Sequence, residues 1–388
     1  MERANNPNPF LRDAGVEVPL ICGAMYPCSN PELVAAASAA GALGVIQPMS
    51  IVFAHRTEFR RGVRRIRQLT DRPVGFNAII EKTVKLYERQ MRSWIDVALE
   101  EGVRFFVTAL GNPDWVVRLV DQVGGLVYHD VTERRWALKA LDAGVRGLIC
   151  VNNRAGGHAG PLSPEQLLDQ MGDLGVPLVC AGGVGHPARF RQMIDAGYSA
   201  VQAGTRFIAT HECTAHDDYK QAIVRAGADD IALTDKLSGV PCSIIKTPTV
   251  EKLGLQAGFV ARQLLRNERT KRLMRVIYSL QSMWKLRQAN QHGSGFKDYW
   301  QAGKSVDGVV QIESVANVVR GFAATLLARP TTGHVSAPPV APPVASPTRS
   351  RRPKGRRGRR QAIFTASRSR ALRTRRGIRR KQRRRAVR

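Results

Sequence analysis

Hydrophobic and polar residues alternate in blocks along residues 18–226 of the chain. Eight short apolar segments, many rich in β-branched residues, have the length and composition of buried strands: VPLICGA, LGVIQP, PVGFNAII, RFFVTAL, GLVYHD, RGLICV, PLVCAGG and SAVQAG. Amphipathic stretches with a helical period, such as PELVAAASAAG and VKLYERQMRSWIDVALEEG, follow these segments and often end in glycine. This strict alternation predicts parallel strands joined by right-handed crossovers.

A closed (β/α)8 barrel is the architecture that this repeat favours. The eight units fill about 210 residues, and barrels of this kind typically need about 200 or more. An open, doubly wound sheet is the alternative, but no Gly-x-Gly-x-x-Gly fingerprint follows the first strand. The sequence therefore predicts an α/β protein with a TIM barrel formed by residues 1–227 together with a returning segment, 296–328.

The repeat stops near residue 228, and three segments of different character follow. Residues 228–295 contain amphipathic stretches such as VEKLGLQAGFVARQLLRN, which predict a smaller, mainly helical insertion. Residues 329–348 are rich in Pro, Val and Ala, as is typical of a semi-extended linker. Residues 349–388 hold 20 Lys/Arg and no acidic residue, so we expect a disordered tail.

Charge, cysteine content and apolar segments restrict the class of protein. The formal net charge is +29, but the tail carries most of it, because residues 1–348 hold 40 basic against 31 acidic residues. The six cysteines form no Cys-x-x-Cys pair, which favours reduced thiols and predicts no metal site. The N-terminal MERANNPNPF lacks the apolar core of a signal peptide, and no stretch is long enough to span a membrane. We therefore expect a cytoplasmic protein.

Candidate site residues follow the predicted strands, because ligands of a (β/α)8 barrel bind at the carboxyl ends of its strands. In chain order they are Gly23, Ala24, Met25, Asn77, His129, Asp130, Gly157, His158, Gly182, Gly183, Gly204 and Thr205.

Two of the loops that carry these residues predict a phosphate site. CAGGVGHPARF and QAGTRF each place glycines between a strand and a helix, where backbone N–H groups can approach an anion closely. The loops after strands seven and eight form the usual phosphate site of such barrels. His158, in the glycine-rich NNRAGGHAG after strand six, has an unperturbed pKa near 6.5 and is the candidate acid or base.

With these motifs the chain resembles the nitronate monooxygenase (2-nitropropane dioxygenase) family of FMN-dependent barrels. The resemblance covers residues 19–328 and is carried by PLICGAM, PVGFNAII, AGGHAG, CAGGVG, AGTRFIATHECTAH and YWQAGKS. NADH:quinone reductases and enoyl reductases that depend on FMN share this scaffold. The resemblance is therefore more specific for the superfamily than for one activity.

The resemblance implies FMN across the barrel mouth, His158 facing its reactive ring, and residues 228–295 as the substrate domain. It assigns the phosphate to Gly182, Gly183, Gly204 and Thr205, and the ring to Asn77 and the backbone of Gly23–Met25. Gly303 and Lys304 would lie near the flavin. Some relatives carry a lysine after strand five where this chain has Asp130, so His129 or Lys304 would serve instead, or Asp130 would point away.

Three functions remain open at this point. The favoured interpretation is oxidation of alkyl nitronates by O2, in which His158 either removes the α-proton of a nitroalkane or, when protonated, holds the nitro oxygens. The alternative is an NAD(P)H-dependent reductase of quinones or enoyl thioesters. A third hypothesis, from another class, is nucleic-acid binding through the basic tail, with non-specific binding of polyanions as its chemical basis.

Overall fold

A computed structural model describes residues 7–81, 85–236, 240–256, 281–292 and 299–327. The strands are β1 (Leu20–Cys22), β2 (Leu43–Ile46), β3 (Val74–Ile79), β4 (Phe105–Ala109), β5 (Leu126–Val131), β6 (Gly147–Val151), β7 (Leu178–Ala181), β8 (Ala200–Ala203), β9 (Ile231–Thr234) and β10 (Cys242–Ile245). The helices are α1 (Pro9–Ala14), α2 (Pro31–Ala39), α3 (Phe59–Leu69), α4 (Lys85–Glu100), α5 (Asp114–Asp121), α6 (Arg134–Asp142), α7 (Pro164–Met171), α8 (Pro187–Ala196), α9 (Thr205–Ile208), α10 (Asp217–Arg225), α11 (Pro248–Leu253), α12 (281–292) and α13 (Val315–Leu327).

Strands β1 to β8 form a closed barrel in sequence order, and every pairing between neighbours is parallel. The barrel closes where Ile21 of β1 lies opposite Gln202 of β8. The predicted fold class, an α/β TIM barrel, is therefore confirmed. Among the described residues, no helix is both long and apolar enough to cross a membrane.

The barrel has two apolar layers. Inside it, Tyr128, Phe105, Ile149 and Val179 pack together, and Phe10 of α1 contacts Phe105 and Tyr128 with ring centroids 5.9 and 6.1 Å apart. Because Phe105 and Tyr128 lie in the first half of their strands, α1 covers the amino-terminal end of the barrel. The opposite, carboxyl end carries a cavity.

The outer layer lies between the strands and the surrounding helices. It includes Phe76, Phe106, Val127 and Leu148, all buried. Helix α13 returns to this layer and packs against α2 and α8, with Phe322 and Phe190 in edge-to-face contact at 5.2 Å.

Beyond α10 the described residues contain two elements that the sequence analysis did not predict. β9 and β10 pair antiparallel, with Cys242 opposite Thr234 and Ile245 opposite Ile231. Each strand has only four residues, too few to give a clear alternation of apolar and polar positions. Helices α11 and α12 also lie in this region. Residues 237–239, 257–280 and 293–295 of the expected helical insertion, the whole linker 329–348 and the basic tail lie outside the described residues.

Candidate functional site

A cavity of about 1150 Å³ opens at the carboxyl ends of the barrel strands, and we call it the barrel cavity. All but one of the predicted catalytic and cofactor-binding residues line it, as does Asp130. The lining includes Gly23, Ala24, Met25, Asn77, His129, Gly157, His158, Gly182, Gly183, Gly204 and Thr205. The exception is Gly303, which packs behind the wall and donates its N–H to Oγ1 of Thr205 at 3.0 Å.

The loop after β7 has a backbone that only glycine adopts easily. Gly182 and Gly183 have φ angles of +119° and +76°. A Cβ on Gly182 would lie 2.5 Å from Oδ1 of Asn152, and one on Gly183 would lie 2.7 Å from Nε of Arg154. The two glycines therefore allow the loops after β6 and β7 to lie in direct contact beside the cavity.

Asn152 fixes these two loops to each other. Its Nδ2 donates to the carbonyl oxygen of Gly182 at 3.0 Å, and its Oδ1 accepts from the backbone N–H of Arg154 at 2.8 Å. The side chain is fully buried. Sequence reasoning missed Asn152, although its place as the first residue after β6 was a usable signal.

The loop that carries His158 is held on two sides. The N–H of Ser243 in β10 donates to the carbonyl oxygen of Gly157 at 2.8 Å, and the N–H of Lys304 donates to that of Arg154 at 2.9 Å. A Cβ on Gly156 would lie 2.9 Å from the backbone nitrogen of Gly303. The small residues around His158 thus permit close backbone packing, and they leave the imidazole as the large polar side chain that this loop presents to the cavity.

The surroundings of His158 at the cavity mouth determine its protonation, although its side chain is exposed to solvent on one side. Desolvation lowers the pKa of its imidazole below the ordinary value of 6.5. The neutral form therefore predominates at pH 7, and a neutral imidazole can accept a proton from a bound ligand.

Strand β5 presents His129 and Asp130 to opposite faces. Tyr128 belongs to the interior layer and Val127 to the outer layer, so alternation places Asp130 inside the barrel and His129 outside. Nδ1 of His129 lies 2.8 Å from Oγ1 of Thr108, and burial lowers the pKa of His129 to about 4. His129 is therefore a neutral side chain of the outer wall, although it borders the cavity.

Asp130 differs from His129 in the face to which it points and in its hydrogen bonding. Its Oδ1 is buried and has no hydrogen-bond partner among the described residues. Burial raises the pKa of its carboxyl to about 7. Asp130 is thus a buried carboxyl at the barrel mouth that a ligand could satisfy.

The cavity is also lined by polar residues that the sequence did not single out: Tyr26, Gln47, Asn112, Thr132, Lys139, Asp142, Gln202, Gln301 and Ser305. Gln202 follows the interior residue Ala200 by two positions in β8, so alternation alone could have placed it at the mouth. Gln301 reaches the cavity through a bridge between its backbone and Ile244 of β10, which no local pattern shows.

The cavity fits a flavin in size and in the character of its wall. Its volume of about 1150 Å³ slightly exceeds the range of about 300–1,000 Å³ that is common for small-molecule sites, so a cofactor and a substrate can share it. Gly182, Gly183 and Gly204 provide a wall without side chains where a phosphate is expected. The unpartnered carboxyl of Asp130 provides a polar contact for a ring with hydrogen-bonding edges.

Comparisons with known proteins identify relatives. The chain is 29% identical over 275 residues to a nitronate monooxygenase of Pseudomonas aeruginosa, covering 59% of this chain and 77% of that protein. It is 27% identical over 249 residues to the "(3aS,4S,5R,7aS)-5-hydroxy-7a-methyl-1-oxo-octahydro-1H-indene-4-carboxyl-CoA dehydrogenase" of Mycobacterium tuberculosis, covering 63% of this chain and 68% of that protein.

Solved structures share the fold. FabK from Thermotoga maritima superimposes with a TM-score of 0.69 at 24% identity, covering 83% of this chain and 97% of that one. A nitroalkane oxidase from Streptomyces ansochromogenes gives a TM-score of 0.64 at 21% identity, covering 80% and 96%. The family model described as nitronate monooxygenase matches residues 8–323. The chain therefore belongs to the nitronate monooxygenase family and is an oxidoreductase built on a TIM barrel.

Proposed function

We propose that this oxidoreductase binds FMN in the barrel cavity and oxidises alkyl nitronates with O2. The observation that carries the proposal is that His158 and the paired glycine loops after β7 and β8 line the same cavity at the barrel mouth. The family membership and the nitronate monooxygenase of Pseudomonas aeruginosa support it.

The residues present would hold the cofactor as follows. Gly182, Gly183, Gly204 and Thr205 would receive the phosphate, and Asn77 and the backbone of residues 23–25 would contact the ring. The flavin would supply the redox chemistry, while the protein supplies position and electrostatics. Gly303 would act indirectly, because its N–H orients the hydroxyl of Thr205.

His158 would hold or move the substrate proton. Because desolvation by the cavity wall lowers its pKa, its neutral imidazole is ready to take the α-proton of a nitroalkane. A substrate that arrives already as the anion would instead receive a hydrogen bond from the ring N–H. The apolar barrel interior below the cavity would exclude water from the reacting atoms.

A second candidate function takes one of two forms. The protein could be a reductase that uses a pyridine nucleotide as its electron donor, or a dehydrogenase that oxidises an acyl thioester. The relative from Mycobacterium tuberculosis favours it, since its name describes a dehydrogenase that acts on a carboxyl-CoA compound. Both candidates use the same cavity and the same cofactor, and they differ in the electron donor.

The absorbance spectrum of the purified protein tests the proposal. We expect a yellow protein that releases FMN on denaturation. Under anaerobic conditions, bleaching by a nitronate and not by NADH supports the monooxygenase, whereas rapid bleaching by NADH supports the reductase. A colourless protein that FMN does not reconstitute contradicts both candidates.

A further inference from the structure

A second cavity, of about 320 Å³, lies next to the barrel cavity and has a basic wall. Arg154, Arg189 and Lys304 line it, with Asp307 as the carboxylate in the wall. Gly183 and Ser305 line both cavities, so the two are neighbours across the loop after β7. We call it the Arg154 cavity.

The three cations of this cavity come from parts of the chain that are far apart in sequence. Arg154 belongs to the His158 loop, Arg189 to the first turn of α8, and Lys304 to the returning segment. The N–H of Lys304 donates to the carbonyl oxygen of Arg154, which fixes their backbones side by side. The absence of a side chain at Gly183 gives Arg154 its space, because a Cβ there would lie 2.8 Å from both Cβ and Cδ of Arg154.

The charges of this wall are only partly neutralised. Arg189 forms an ion pair with Glu165 at 2.8 Å. The guanidinium of Arg154 lies 3.9 Å from Asp307, and its buried Nε has no hydrogen-bond partner among the described residues. Lys304 forms no ion pair with any residue that the structure describes. Two cations thus lack a close carboxylate inside a concave site, and this arrangement suits a multivalent anion.

We propose that the Arg154 cavity binds a phosphate group of a nucleotide-linked substrate, either a coenzyme A thioester or a reduced pyridine nucleotide. Both sources carry phosphates remote from the reacting atoms, and contacts to such remote groups position a substrate for reaction. The shared residues Gly183 and Ser305 give a continuous wall from this cavity to the barrel cavity. The proposal deepens the proposed function and rests on the barrel cavity being the reaction site.

Binding of inorganic pyrophosphate, coenzyme A and NADPH to the full-length protein tests the inference. Isothermal titration at about 0.3 M NaCl reduces the contribution of the basic tail, which is the same in every variant. Lys304→Gln and Arg154→Gln should each weaken pyrophosphate binding at least about tenfold, as expected for loss of a charge-assisted contact. Lys252→Gln, which removes an exposed charge outside both cavities, serves as the matched control.

The results of these titrations distinguish coenzyme A from NADPH as the ligand. They also distinguish the proposal for the Arg154 cavity from the proposal for the barrel cavity. Tenfold loss of coenzyme A binding in the variants identifies a thioester, and loss of NADPH binding identifies a pyridine nucleotide. Equal binding by the wild-type protein and both variants, or no binding by the wild-type protein, overturns the inference. Loss of bound FMN in the variants would assign these cations to the flavin phosphate instead. FMN content, measured in parallel, tests the proposed function separately.

Discussion

His158 is the side chain whose removal should affect the reaction most directly. His158→Asn keeps a polar side chain but loses the base, so turnover of a nitroalkane should fall roughly 100-fold or more while FMN remains bound. The activity of the wild-type protein should fall only below pH 6.5, because desolvation at the cavity wall lowers the pKa of the imidazole from that value. Steady-state kinetics over a range of pH measures both effects.

A histidine outside the barrel cavity provides the control for this substitution. His211 is exposed and lies outside the barrel cavity. His211→Asn should keep both the rate and the pH profile of the wild-type protein. Wild-type turnover in His158→Asn would show that the imidazole has no part in proton transfer.

Asp130 should make the flavin-free protein less stable as the pH rises. The folded state raises the pKa of this carboxyl from 3.8 to about 7, so ionisation costs more in the folded than in the unfolded chain. Its contribution to stability is fully present below pH 3.8 and is lost as the pH rises through about 7. Asp130→Asn removes this cost and should raise the melting temperature at pH 8 by roughly 3 °C or more.

Melting temperatures at two pH values distinguish the effect of ionisation from a general change in stability. At pH 4, where the wild-type carboxyl is mostly protonated in the fold, the Asn variant should melt close to the wild-type temperature. Asp169→Asn changes an exposed carboxylate on α7 and should show no such pH-dependent gain. An equal effect of Asp130→Asn at both pH values would contradict a buried, protonated carboxyl.

At the scale of elements, strand β10 acts as a support for the His158 loop. The N–H of Ser243 donates to the carbonyl oxygen of Gly157, and the N–H of Ile245 donates to that of Trp300 at 2.9 Å. Trp300 in turn stacks on Tyr219 of α10, with parallel rings 5.7 Å apart. The hairpin of β9 and β10 therefore joins the His158 loop to the returning segment and to α10.

Removal of one N–H from β10 should loosen this support. Ser243→Pro deletes the donor to Gly157, so kcat/KM should fall about tenfold or more as the loop loses its fixed position. Ser243→Ala removes only the hydroxyl, retains the N–H, and should remain close to wild type. Circular dichroism checks that the barrel is intact, and equal rates for the two variants would show that the loop keeps its position without β10.

At the scale of the whole molecule, the chain after α13 should be dispensable for the reaction. The last described helix ends at Leu327, and no barrel strand is needed beyond it. Truncation after Leu327 should leave FMN content and turnover unchanged. Loss of flavin in the truncated protein would show that the barrel depends on the following residues.

The same truncation tests the role of the charge. The 20 Lys/Arg of residues 349–388 should bind heparin or DNA at low salt, with an affinity that falls steeply as salt rises. The truncated protein should bind much more weakly, because it loses 21 of the 29 net positive charges. Equal affinity of both forms would locate the polyanion-binding surface on the body of the protein.

The sequence by itself determined the barrel and most of its mouth. Eight apolar segments alternating with helices require parallel strands, and parallel strands in a closed barrel bring their carboxyl ends together. Residues such as Gly182, Gly204 and His158 could therefore be assigned to one cavity from their distance to a strand end. The signal was strong because local hydrophobic periodicity and chain order are sufficient for such an assignment.

Only the tertiary structure decided which side of a strand a residue faces and which distant segments touch. It placed Asp130 inside the barrel and His129 outside, and it moved Gly303 behind the wall to contact Gly156. It also formed the Arg154 cavity from three segments with no common pattern. These features depend on strand register, on a two-stranded sheet too short to recognise in the sequence, and on contacts between residues far apart in the chain. Local periodicity does not encode such contacts.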